Sequence, residues 1–389
     1  MEPIITSMLD TDCYKLTQQA MICKLYPRAR AKYAFINRDN TPFPSGFAAL
    51  LREQVEHLSI LRLTEEEAEF LRQACPYLDP VYIDFLLGFK FDPDEVHISQ
   101  SDNDLSVFIE GLMYRAMAYE VMMLAIKSEL YFKTAKNIEM LEDHIGSPID
   151  AKRDAKAKSR KMAEAGAVFA DFGTRRRYSH VTQERVIQGL QEGGNTFIGT
   201  SNPYFAMKFG LTPIGTIAHE SVMALSVLRG LRHANQFTME DWISVYQGNL
   251  GIMLTDTFGT EAFFEDFTLK YAQLFQGVRH DSGDPIEFGE RTIQHYEKLK
   301  IDPLSKTIVF SDGLNVDEAI RIKRHFDGKV KTSFGIGTSL TNSIGCKPLN
   351  MVIKLVEIDG TPVVKLSDVP GKETGDPKAI EYAKWTFGL

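Results

Sequence analysis

The stretch AVFADFG, at residues 167–173, begins the part of the sequence that decides the fold. It is short and apolar, ends in polar and glycine residues, and is separated by helical patterns from similar stretches downstream. Those stretches are NTFIGTS (195–201), PIGTIAHE (213–220), GIMLTDTF (251–258), FQGVRHDSGD (275–284), TIVFSDG (307–313) and KTSFGIGTS (331–339). Alternating strands and helices predict an α/β protein with a parallel sheet. The number of strands favours an irregular TIM-like β/α barrel, with an open sheet as the alternative.

The residues before this repeat predict a mixed α/β domain at the N-terminus. AKYAFINR, at 31–38, has the pattern of a strand, and helical patterns cover 45–60 and 64–74. Thr64 and Glu67 form a capping box, in which each side chain satisfies a free backbone N–H group of the first helical turn. This pair is a structural signal and carries no chemistry.

The C-terminal tail predicts a return of the chain to the N-terminal domain. The run MVIKLVEIDGTPVVKLSD has the pattern of a β-hairpin with its turn at Asp359 and Gly360. We therefore expect an N-terminal domain over residues 1–130, completed by about 350–389. The barrel domain is expected over residues 131–349.

Composition and charge restrict the class of protein. The 389 residues are 44% hydrophobic and 25% charged, with 44 Lys and Arg against 52 Asp and Glu and a net charge of -8. These values indicate a soluble globular chain and exclude a disordered, collagen-like or coiled-coil protein. The acidic balance argues against a nucleic-acid partner. The basic helical run 147–165, which ends before Gly166, predicts a solvated helix face, with a local nucleic-acid-binding patch as the alternative.

The cysteines and the apolar segments predict a cytoplasmic protein with no membrane partner. Cys13, Cys23, Cys75 and Cys346 form no CxxC pair and no zinc-type cluster with histidines, so neither disulfides nor a structural metal are expected. The N-terminal residues lack the basic and apolar regions of a signal peptide. The most apolar stretch, 112–126, is interrupted by charges and is too short to span a bilayer.

Function is expected where the strands end, because the loops after parallel strands meet on one face of the sheet. In FGIGTS, Gly335 and Gly337 allow backbone N–H groups to approach an anion, and the Thr338 hydroxyl adds a donor. In FSDGL, Asp312 and Gly313 close an apolar strand. Both endings suit a phosphate or sugar ligand, and both are also typical of simple tight turns.

The strand endings VRHDSGD and IAHE carry ionisable groups. Arg279 offers a two-pronged phosphate contact, Asp281 suits ribose hydroxyls or a hydrated Mg²⁺, and Gly283 permits close backbone approach. A surface turn capped by Asp is the alternative. His219 is either a capping histidine or, at the active face, a general base, a hydrogen-bond donor or a phosphoryl acceptor.

The segment DFGTRRR combines an aromatic face with positive charge, since Phe172 precedes Arg175, Arg176 and Arg177. Three adjacent arginines cannot all face one ligand. We expect one or two of them to bind a carboxylate or a phosphate and the others to form salt bridges or to face solvent.

Neutral hydrogen-bonding groups end the strand in NTFIGTSN. Thr200, Ser201 and Asn202 suit a small polar ligand and suit equally the capping of the next helix. The residues alone leave these two roles open, and Thr200 and Ser201 are the candidates for substrate binding.

Seven motifs follow one another along the chain, and no single one is decisive. They are LDTDCYKLTQQAM (9–21), FADFGTRRR (169–177), FIGTSN (197–202), GTIAHE (215–220), HDSGDP (280–285), FSDGL (310–314) and FGIGTSLTN (334–342). In this combination the chain resembles the nicotinate phosphoribosyltransferases, which are type II phosphoribosyltransferases. The resemblance extends over nearly the full length, although residues 22–165 carry few family marks.

The resemblance implies a two-domain enzyme that works as a head-to-tail homodimer with sites built by both subunits. Its reaction would join nicotinate to phosphoribosyl pyrophosphate, giving nicotinate mononucleotide and pyrophosphate in NAD salvage. ATP hydrolysis would be coupled to this reaction, and His219 would be the histidine that ATP transiently phosphorylates. Mg²⁺ and ATP are therefore the cofactor and co-substrate that the resemblance implies.

The resemblance also implies roles for individual residues. Phe172 and Tyr14, the latter from the neighbouring subunit, would hold the pyridine ring between two aromatic faces. Arg175 would approach the nicotinate carboxylate or a nearby phosphate. Arg279 and Asp281 would hold the phosphoribosyl group.

The phosphate and metal ends of the site follow from the same resemblance. The 5′-phosphate would be cradled by Gly335, Gly337 and Thr338, with Asp312 and Gly313 beside it. Asp256 would lie near the ribose and its Mg²⁺, together with Asp281. The mechanism would be a dissociative displacement at the anomeric carbon, which needs no strong base because the pyridine nitrogen carries its own lone pair.

Ser201 bears on the choice of base. Relatives that use nicotinamide carry Asp at the matching position, where a carboxylate accepts from the amide and repels nicotinate, whereas a Ser hydroxyl donates to nicotinate. Nicotinate is therefore favoured over nicotinamide. His219 argues against a quinolinate phosphoribosyltransferase, and Arg279 and Asp281 argue against a catalytically silent nicotinate sensor.

Overall fold

The computed structural model describes residues 1–134, 147–369 and 371–389, and over these ranges the strands form two sheets. The strands are β1 (Arg30–Asn37), β2 (Val96–Ser101), β3 (Asp104–Leu112), β4 (Phe169–Asp171), β5 (Phe197–Thr200), β6 (Thr212–Pro213), β7 (Ile252–Leu254), β8 (Gly277–His280), β9 (Thr307–Phe310), β10 (Lys331–Ile336), β11 (Met351–Ile358) and β12 (Thr361–Pro362). The α-helices are α1 (Cys13–Leu25), α2 (Phe47–Ser59), α3 (Glu65–Ala74), α4 (Pro80–Gly88), α5 (Met113–Ala116), α6 (Tyr119–Thr134), α7 (Pro148–Glu164), α8 (His180–Gly193), α9 (Pro203–Phe209), α10 (His219–Leu228), α11 (Ala234–Tyr246), α12 (Thr260–Asp266), α13 (Leu269–Leu274), α14 (Pro285–Lys298), α15 (Val316–His325), α16 (Thr338–Thr341) and α17 (Pro377–Phe387).

The larger sheet is parallel and has the strand order β6-β5-β4-β10-β9-β8-β7. Apolar residues of these strands, such as Phe169, Ile308 and Phe334, are almost fully buried. Parallel sheets are covered by helices on their faces, which explains why the stretches are continuously apolar rather than alternating. The predicted α/β class and parallel sheet are confirmed.

The strand at one edge of this sheet differs from its prediction. The sequence predicts a strand over 213–220, but β6 contains only Thr212–Pro213, and His219 begins helix α10. One further backbone bond, from Ile214 N to Thr200 O at 2.8 Å, follows Pro213. Strands β6 and β7 are the edges of the sheet, where proline is tolerated. Over the described residues the sheet is a curled, open half-barrel, and a closed TIM-like barrel is not confirmed.

The smaller sheet is antiparallel and joins the two ends of the chain. Its order is β12-β11-β1-β3-β2, so that β11 from the C-terminal tail pairs with β1. Tyr33 lies opposite Leu355 on one side and Ile109 on the other. The expected domain boundary after residue 130 falls within α6, and residues 135–146, which follow that helix, lie outside the described part of the chain.

The hairpin predicted at Asp359 and Gly360 is confirmed. Strands β11 and β12 pair on either side of these two residues, which have φ angles of 47° and 77°. Two successive positive φ angles match the twist of an antiparallel hairpin, and Asp and Gly are residues that tolerate them.

Helix boundaries agree with the capping signals in the sequence. Both hydrogen bonds of the Thr64–Glu67 capping box are present at the start of α3. Helix α7 begins with a second capping box, formed by Ser147 and Asp150. Gly166 follows the last turn of α7 with φ of +62°, the left-handed conformation that glycine adopts without strain.

The C-terminal tail divides between the two parts of the molecule. Whereas β11 joins the N-terminal sheet, α17 packs against the part that carries the parallel sheet. The Phe387 ring stacks on Phe258 at 4.9 Å, in a small apolar cluster that includes Val222, Ala234 and Ala383. The tail therefore holds both parts together.

No α-helix within the described ranges combines the length and the apolar character that a membrane span requires.

Candidate active site

A cavity of about 1900 Å³ runs along the parallel sheet, from the starts of strands, as at Thr307 and Lys331, to the loops where the strands end. The predicted site residues in its wall are Tyr14, Phe172, Arg175, Ser201, His219, Arg279, Asp281, Asp312, Gly313, Gly335, Gly337 and Thr338. Two other candidates, Thr200 and Asp256, are fully buried behind this wall. Folding therefore brings residues from both ends of the sequence to one place.

His219, Asp256 and Asp281 form a cluster at one end of the cavity. His219 begins α10, Asp256 follows β7, and Asp281 follows β8. His219 Nε2 lies 3.1 Å from Asp281 Oδ2 and 3.6 Å from Asp256 Oδ1. Its Nδ1 lies 3.0 Å from Thr257 Oγ1. The imidazole is held through both nitrogens, so its plane is fixed.

Two hydroxyl groups and one amine contact the two carboxylates. Ser282 Oγ donates to Asp256 Oδ2 at 2.6 Å, and Ser311 Oγ donates to Asp281 Oδ1 at 2.8 Å. Lys365 Nζ lies 3.0 Å from Asp256 Oδ2. Lys365 belongs to the C-terminal tail, and no motif in the sequence indicates that it reaches this cluster.

The cluster fits a divalent cation. One potential ligand atom from each of His219, Asp256 and Asp281 lies within 4.8 Å of the others. Asp256 Oδ1 is buried and has no hydrogen-bond partner among the described residues. A buried, unpaired carboxylate oxygen is costly unless a cation satisfies it, and Mg²⁺ prefers such oxygens.

The charges in this cluster shift the pKa values of its members. Burial lowers the pKa of His219, Lys365 adds to this effect, and the two carboxylates oppose it. Burial alone raises the pKa of Asp281, but the charge of Arg279 and the hydrogen bond from His219 outweigh it and hold that pKa well below its usual range. At neutral pH the cluster therefore contains an ionised Asp281 beside a neutral imidazole.

The aromatic end of the cavity depends on glycines that make room for rings. A Cβ atom at Gly335 would come within 2.4 Å of the Phe172 ring, so only glycine permits this contact. A Cβ atom at Gly215 would come within 2.7 Å of the Tyr14 backbone nitrogen. Tyr14 lines the same cavity, and whether its ring serves this site or that of a neighbouring subunit stays a prediction of the resemblance.

The three arginines have different surroundings, in agreement with the expectation that they cannot share one ligand. Arg175 is 43% exposed, and its Nε lies 3.5 Å from Asp12 Oδ2. Arg176 lines the cavity, and its Nε donates to a backbone oxygen. Arg177 is fully buried and donates through both Nη atoms to Asp10, each at 2.7 Å. Arg175 and Arg176 are thus the two available to a ligand.

Ser201 has a partner that the sequence does not predict. Its Oγ donates to Asp12 Oδ1 at 2.6 Å, and its backbone oxygen accepts from Cys13 N at 2.6 Å. A hydroxyl has one proton to donate. The proton that was expected to bind a nicotinate carboxylate is therefore given to Asp12, whose pKa is raised by burial.

Two loops face each other at the phosphate end predicted from the sequence. Asp312 and Gly313 follow β9, and Gly313 has φ of +59°, a left-handed conformation that suits glycine. Gly337 and Thr338 lie where β10 passes into α16. Burial raises the pKa of Asp312, and Asp281 adds to this effect.

Basic residues on or next to the N-terminal sheet complete the cavity wall, and none of them was identified from the sequence. They are Arg38, which follows β1, with Lys347 before β11 and Lys354 within it. Burial lowers the pKa of Lys354 to about 8, and Lys365 and Arg38 contribute to the shift. No local pattern marks these residues, because a lysine on a strand is usually a solvent-facing residue.

Comparisons with known proteins identify the relatives of this chain. The nicotinate phosphoribosyltransferase (NAPRTase) family matches residues 167–389, and the N-terminal domain of the same family matches residues 9–128. A nicotinate phosphoribosyltransferase of Chromohalobacter salexigens is 47% identical over 400 residues, which cover 99% of each chain. One of Methanosarcina mazei is 46% identical over 401 residues, covering 99% of this chain and 98% of the other.

Solved structures give the same result for the fold. The crystal structure of nicotinate phosphoribosyltransferase from Porphyromonas gingivalis superposes with a TM-score of 0.95 at 42% identity, covering 99% of this chain and 100% of that one. The enzyme from Vibrio cholerae gives 0.91 at 35% identity, covering 100% of this chain and 94% of that one. Together with the sequence relatives and the geometry of the cavity, these matches show that the chain belongs to the nicotinate phosphoribosyltransferase family.

Proposed function

We propose that this protein is a nicotinate phosphoribosyltransferase, which forms nicotinate mononucleotide and pyrophosphate from nicotinate and phosphoribosyl pyrophosphate. The observation that carries the proposal is the content of one cavity. Aromatic and basic side chains suited to a pyridine carboxylate lie in the same wall as the cluster of His219 and Asp281. The family membership supports the same reaction and a role in NAD biosynthesis.

The base is held at the aromatic end. Phe172 and Tyr14 offer flat faces to the pyridine ring. The Arg175 guanidinium lies 5.8 Å from the centre of the Tyr14 ring and is partly exposed to the cavity, so it is placed to bind the nicotinate carboxylate. This arrangement selects an anionic base through Arg175 rather than through the Ser201 hydroxyl.

The transfer step is a displacement at the anomeric carbon of the ribose. The bond from this carbon to the pyrophosphate oxygen breaks, its electron pair leaves with pyrophosphate, and the pyridine nitrogen lone pair forms the new bond. Arg279 lines the cavity, and its buried Nε has no hydrogen-bond partner among the described residues. It is therefore available to neutralise charge on the phosphates.

Asp256 and Asp281 are the residues that would hold Mg²⁺, since a carboxylate oxygen of each lies within 4.8 Å of the other and Asp256 Oδ1 has no hydrogen-bond partner among the described residues. A bound Mg²⁺ would neutralise the charge of the departing pyrophosphate. The backbone around Gly335 and Gly337, the Thr338 hydroxyl and the loop at Gly313 would contact the 5′-phosphate.

ATP is the co-substrate that we propose for His219. A neutral imidazole has a lone pair that can attack the terminal phosphorus of ATP, forming an N–P bond as ADP departs with the bridging oxygen. The lowered pKa keeps His219 in this neutral form. Water then removes the phosphoryl group, which couples ATP hydrolysis to phosphoribosyl transfer.

Assembly and domain roles extend the same proposal. We propose a cytoplasmic homodimer in which residues 131–349 form the irregular barrel domain. Residues 1–130 and 350–389 then close one side of the site, as the pairing of β1 with β11 suggests. Sedimentation or light scattering of the purified protein would test the dimer.

The experiment that tests the function measures product formation from phosphoribosyl pyrophosphate with nicotinate or nicotinamide in parallel. Each reaction contains Mg²⁺ and is run with and without ATP, and both mononucleotide and ADP are followed. We expect nicotinate turnover that ATP stimulates, with little use of nicotinamide.

Each contrary result would indicate a different activity. Preferred use of nicotinamide would indicate the nicotinamide-specific relative. Carbon dioxide release from quinolinate would indicate the quinolinate enzyme. Binding of nicotinate without pyrophosphate release would indicate a sensor.

A further inference from the structure

A buried polar network lies directly behind the aromatic end of the cavity. Asp171, at the end of β4, is fully buried, and its carboxylate accepts hydrogen bonds from three directions. Gly173 N donates to Oδ1 at 2.9 Å, while Thr200 Oγ1 and Gln183 Nε2 donate to Oδ2 at 2.9 and 3.0 Å. The carboxylate is thus enclosed by protein and fully hydrogen-bonded.

Gln183, in α8, connects Asp171 to a second buried carboxylate. Its Oε1 accepts from Arg177 Nη1 at 3.2 Å, and Arg177 forms the two-pronged pair with Asp10. Asn202 Nδ2 also donates to Asp10, at 2.7 Å. Four separate segments of the chain are therefore held together by buried groups, each of which restrains its neighbours.

This network is joined to the cavity wall through the backbone. The Asp171 carboxylate holds the amide of Gly173, so it fixes the turn on which the Phe172 ring and the Arg175 guanidinium are carried. The backbone oxygen of Asp171 accepts from Ser201 N at 2.7 Å. Asp171, which lies outside the cavity wall, thus positions the wall residues Phe172 and Arg175.

We propose that Asp171 and Gln183 are positioning residues for the nicotinate ring, which act through the cavity-wall residues that they hold in place. Neither of them is among the residues that line the cavity. The inference rests on the proposed function, since it concerns the base site of that reaction. It also assigns Thr200, a candidate for substrate contact in the sequence, to the support of the cavity wall.

The direction of the hydrogen bonds through Gln183 is fixed at both ends. An ionised Asp171 only accepts, so it faces the amide nitrogen, and Arg177 only donates, so it faces the amide oxygen. In Asp171→Asn the amide oxygen has to face Gly173 N, which only donates, so the new NH₂ group lies opposite the NH₂ group of Gln183. Turning the Gln183 amide over would relieve that contact but would oppose NH₂ to Arg177. One unfavourable contact remains in either orientation.

Asp171→Asn is therefore the first variant to measure. We expect its nicotinate KM to rise about tenfold, while its phosphoribosyl pyrophosphate KM stays within about twofold of the unaltered protein. The double variant Asp171→Asn/Gln183→Glu restores one carboxylate and one amide in exchanged positions, and the Thr200 hydroxyl can accept instead of donating. We expect it to return the nicotinate KM to within about threefold.

A matched control separates positioning from general loss of stability. Ser159 is fully buried in α7 and donates to the Leu190 oxygen at 2.7 Å, outside the cavity wall. Ser159→Ala should lower the thermal midpoint and leave both KM values unchanged. If Asp171→Asn does not fold, Gln183→Met removes the same hydrogen bond from the other side, and the same selective rise in nicotinate KM is expected.

Three results would overturn the inference. They are a nicotinate KM that stays within about twofold in the Asp171→Asn or replacement variant, an equal rise of both KM values, or no recovery in the double variant. Absence of nicotinate turnover by the unaltered protein would instead overturn the proposed function. The two failures are therefore distinguishable.

Discussion

Ser201 donates its hydroxyl proton to Asp12 at 2.6 Å, so the residue expected to distinguish nicotinate from nicotinamide already has a carboxylate beside it. Asp12 in turn lies 3.5 Å from the Nε of Arg175. The three residues form one charged unit at the aromatic end of the cavity. The choice of base therefore depends on the balance of charge in this unit rather than on one hydroxyl.

Ser201→Asp should weaken the preference for nicotinate. A second carboxylate beside Asp12 adds negative charge that repels the nicotinate carboxylate and offers an acceptor to the nicotinamide NH₂ group. We expect the ratio of kcat/KM for nicotinate to that for nicotinamide to fall at least about tenfold. Ser201→Ala is the control, and it should leave nicotinate preferred. An unchanged ratio in Ser201→Asp would contradict this account.

Arg175→Gln should affect nicotinate much more than phosphoribosyl pyrophosphate. Removing the guanidinium leaves the nicotinate carboxylate facing Asp12 without a cation, and we expect nicotinate KM to rise about 10- to 100-fold. Steady-state kinetics with each substrate varied in turn provide the measurement. Arg160→Gln, at an exposed position of α7, is the control. A rise confined to the KM of phosphoribosyl pyrophosphate would instead indicate that Arg175 binds a phosphate.

His219→Asn should separate ATP use from phosphoribosyl transfer. Asparagine keeps a side chain of polar character but has no imidazole lone pair to accept a phosphoryl group. We expect ADP release to fall to background while a slower, ATP-independent formation of mononucleotide remains. The ratio of ADP to mononucleotide is the quantity to follow, with the exposed His233→Asn as control. Continued ATP hydrolysis at the usual ratio would exclude His219 as the acceptor.

Lys354 should make phosphoribosyl pyrophosphate binding sensitive to alkaline pH. Its pKa is lowered to about 8 by burial, so the amine is charged below that pH and becomes neutral above it. Loss of a positive charge from the cavity wall weakens phosphate binding, and KM should therefore rise as pH increases through about 8. Lys354→Arg, which stays charged, should remove this rise. An identical pH profile for both proteins would contradict the prediction.

The buried pair of Asp10 and Arg177 should contribute strongly to stability. Arg177→Met leaves the Asp10 carboxylate buried without its cation, which costs about 3 to 5 kcal/mol of unfolding free energy. Urea unfolding at neutral pH is the measurement. Asp10→Asn combined with Arg177→Met should recover much of the loss, because no unpaired charge remains. Equal losses in the single and double variants would contradict this explanation.

Much of the site could be predicted because the end of each parallel strand is visible in the local sequence. Apolar residues give way to Gly, Ser, Asp or Arg at the carboxyl end of a strand, as in the passage from Phe310 to Asp312. All such ends meet on one edge of a parallel sheet. Local sequence therefore located the loops around Phe172, Asp281 and Gly335 without any knowledge of how the chain folds.

The residues that were missed reach the cavity from elements with no such signal. Lys365 comes from the tail after the hairpin, and Lys354 comes from a strand of the other sheet. Each is an ordinary lysine in its own segment. Their positions in the cavity follow from the pairing of β11 with β1, a long-range contact that local patterns do not encode.

The sequence by itself determined the α/β class, the parallel strands and the identity of the loops that line the cavity, because hydrophobic periodicity and strand endings are local properties. Tertiary structure alone decided which hydrogen-bond partners these loops have. Ser201 meets Asp12, and Thr200 supports Asp171. A hydroxyl or carboxylate has the same chemistry in any loop, but its role depends on the group that lies within about 3 Å of it in the folded chain.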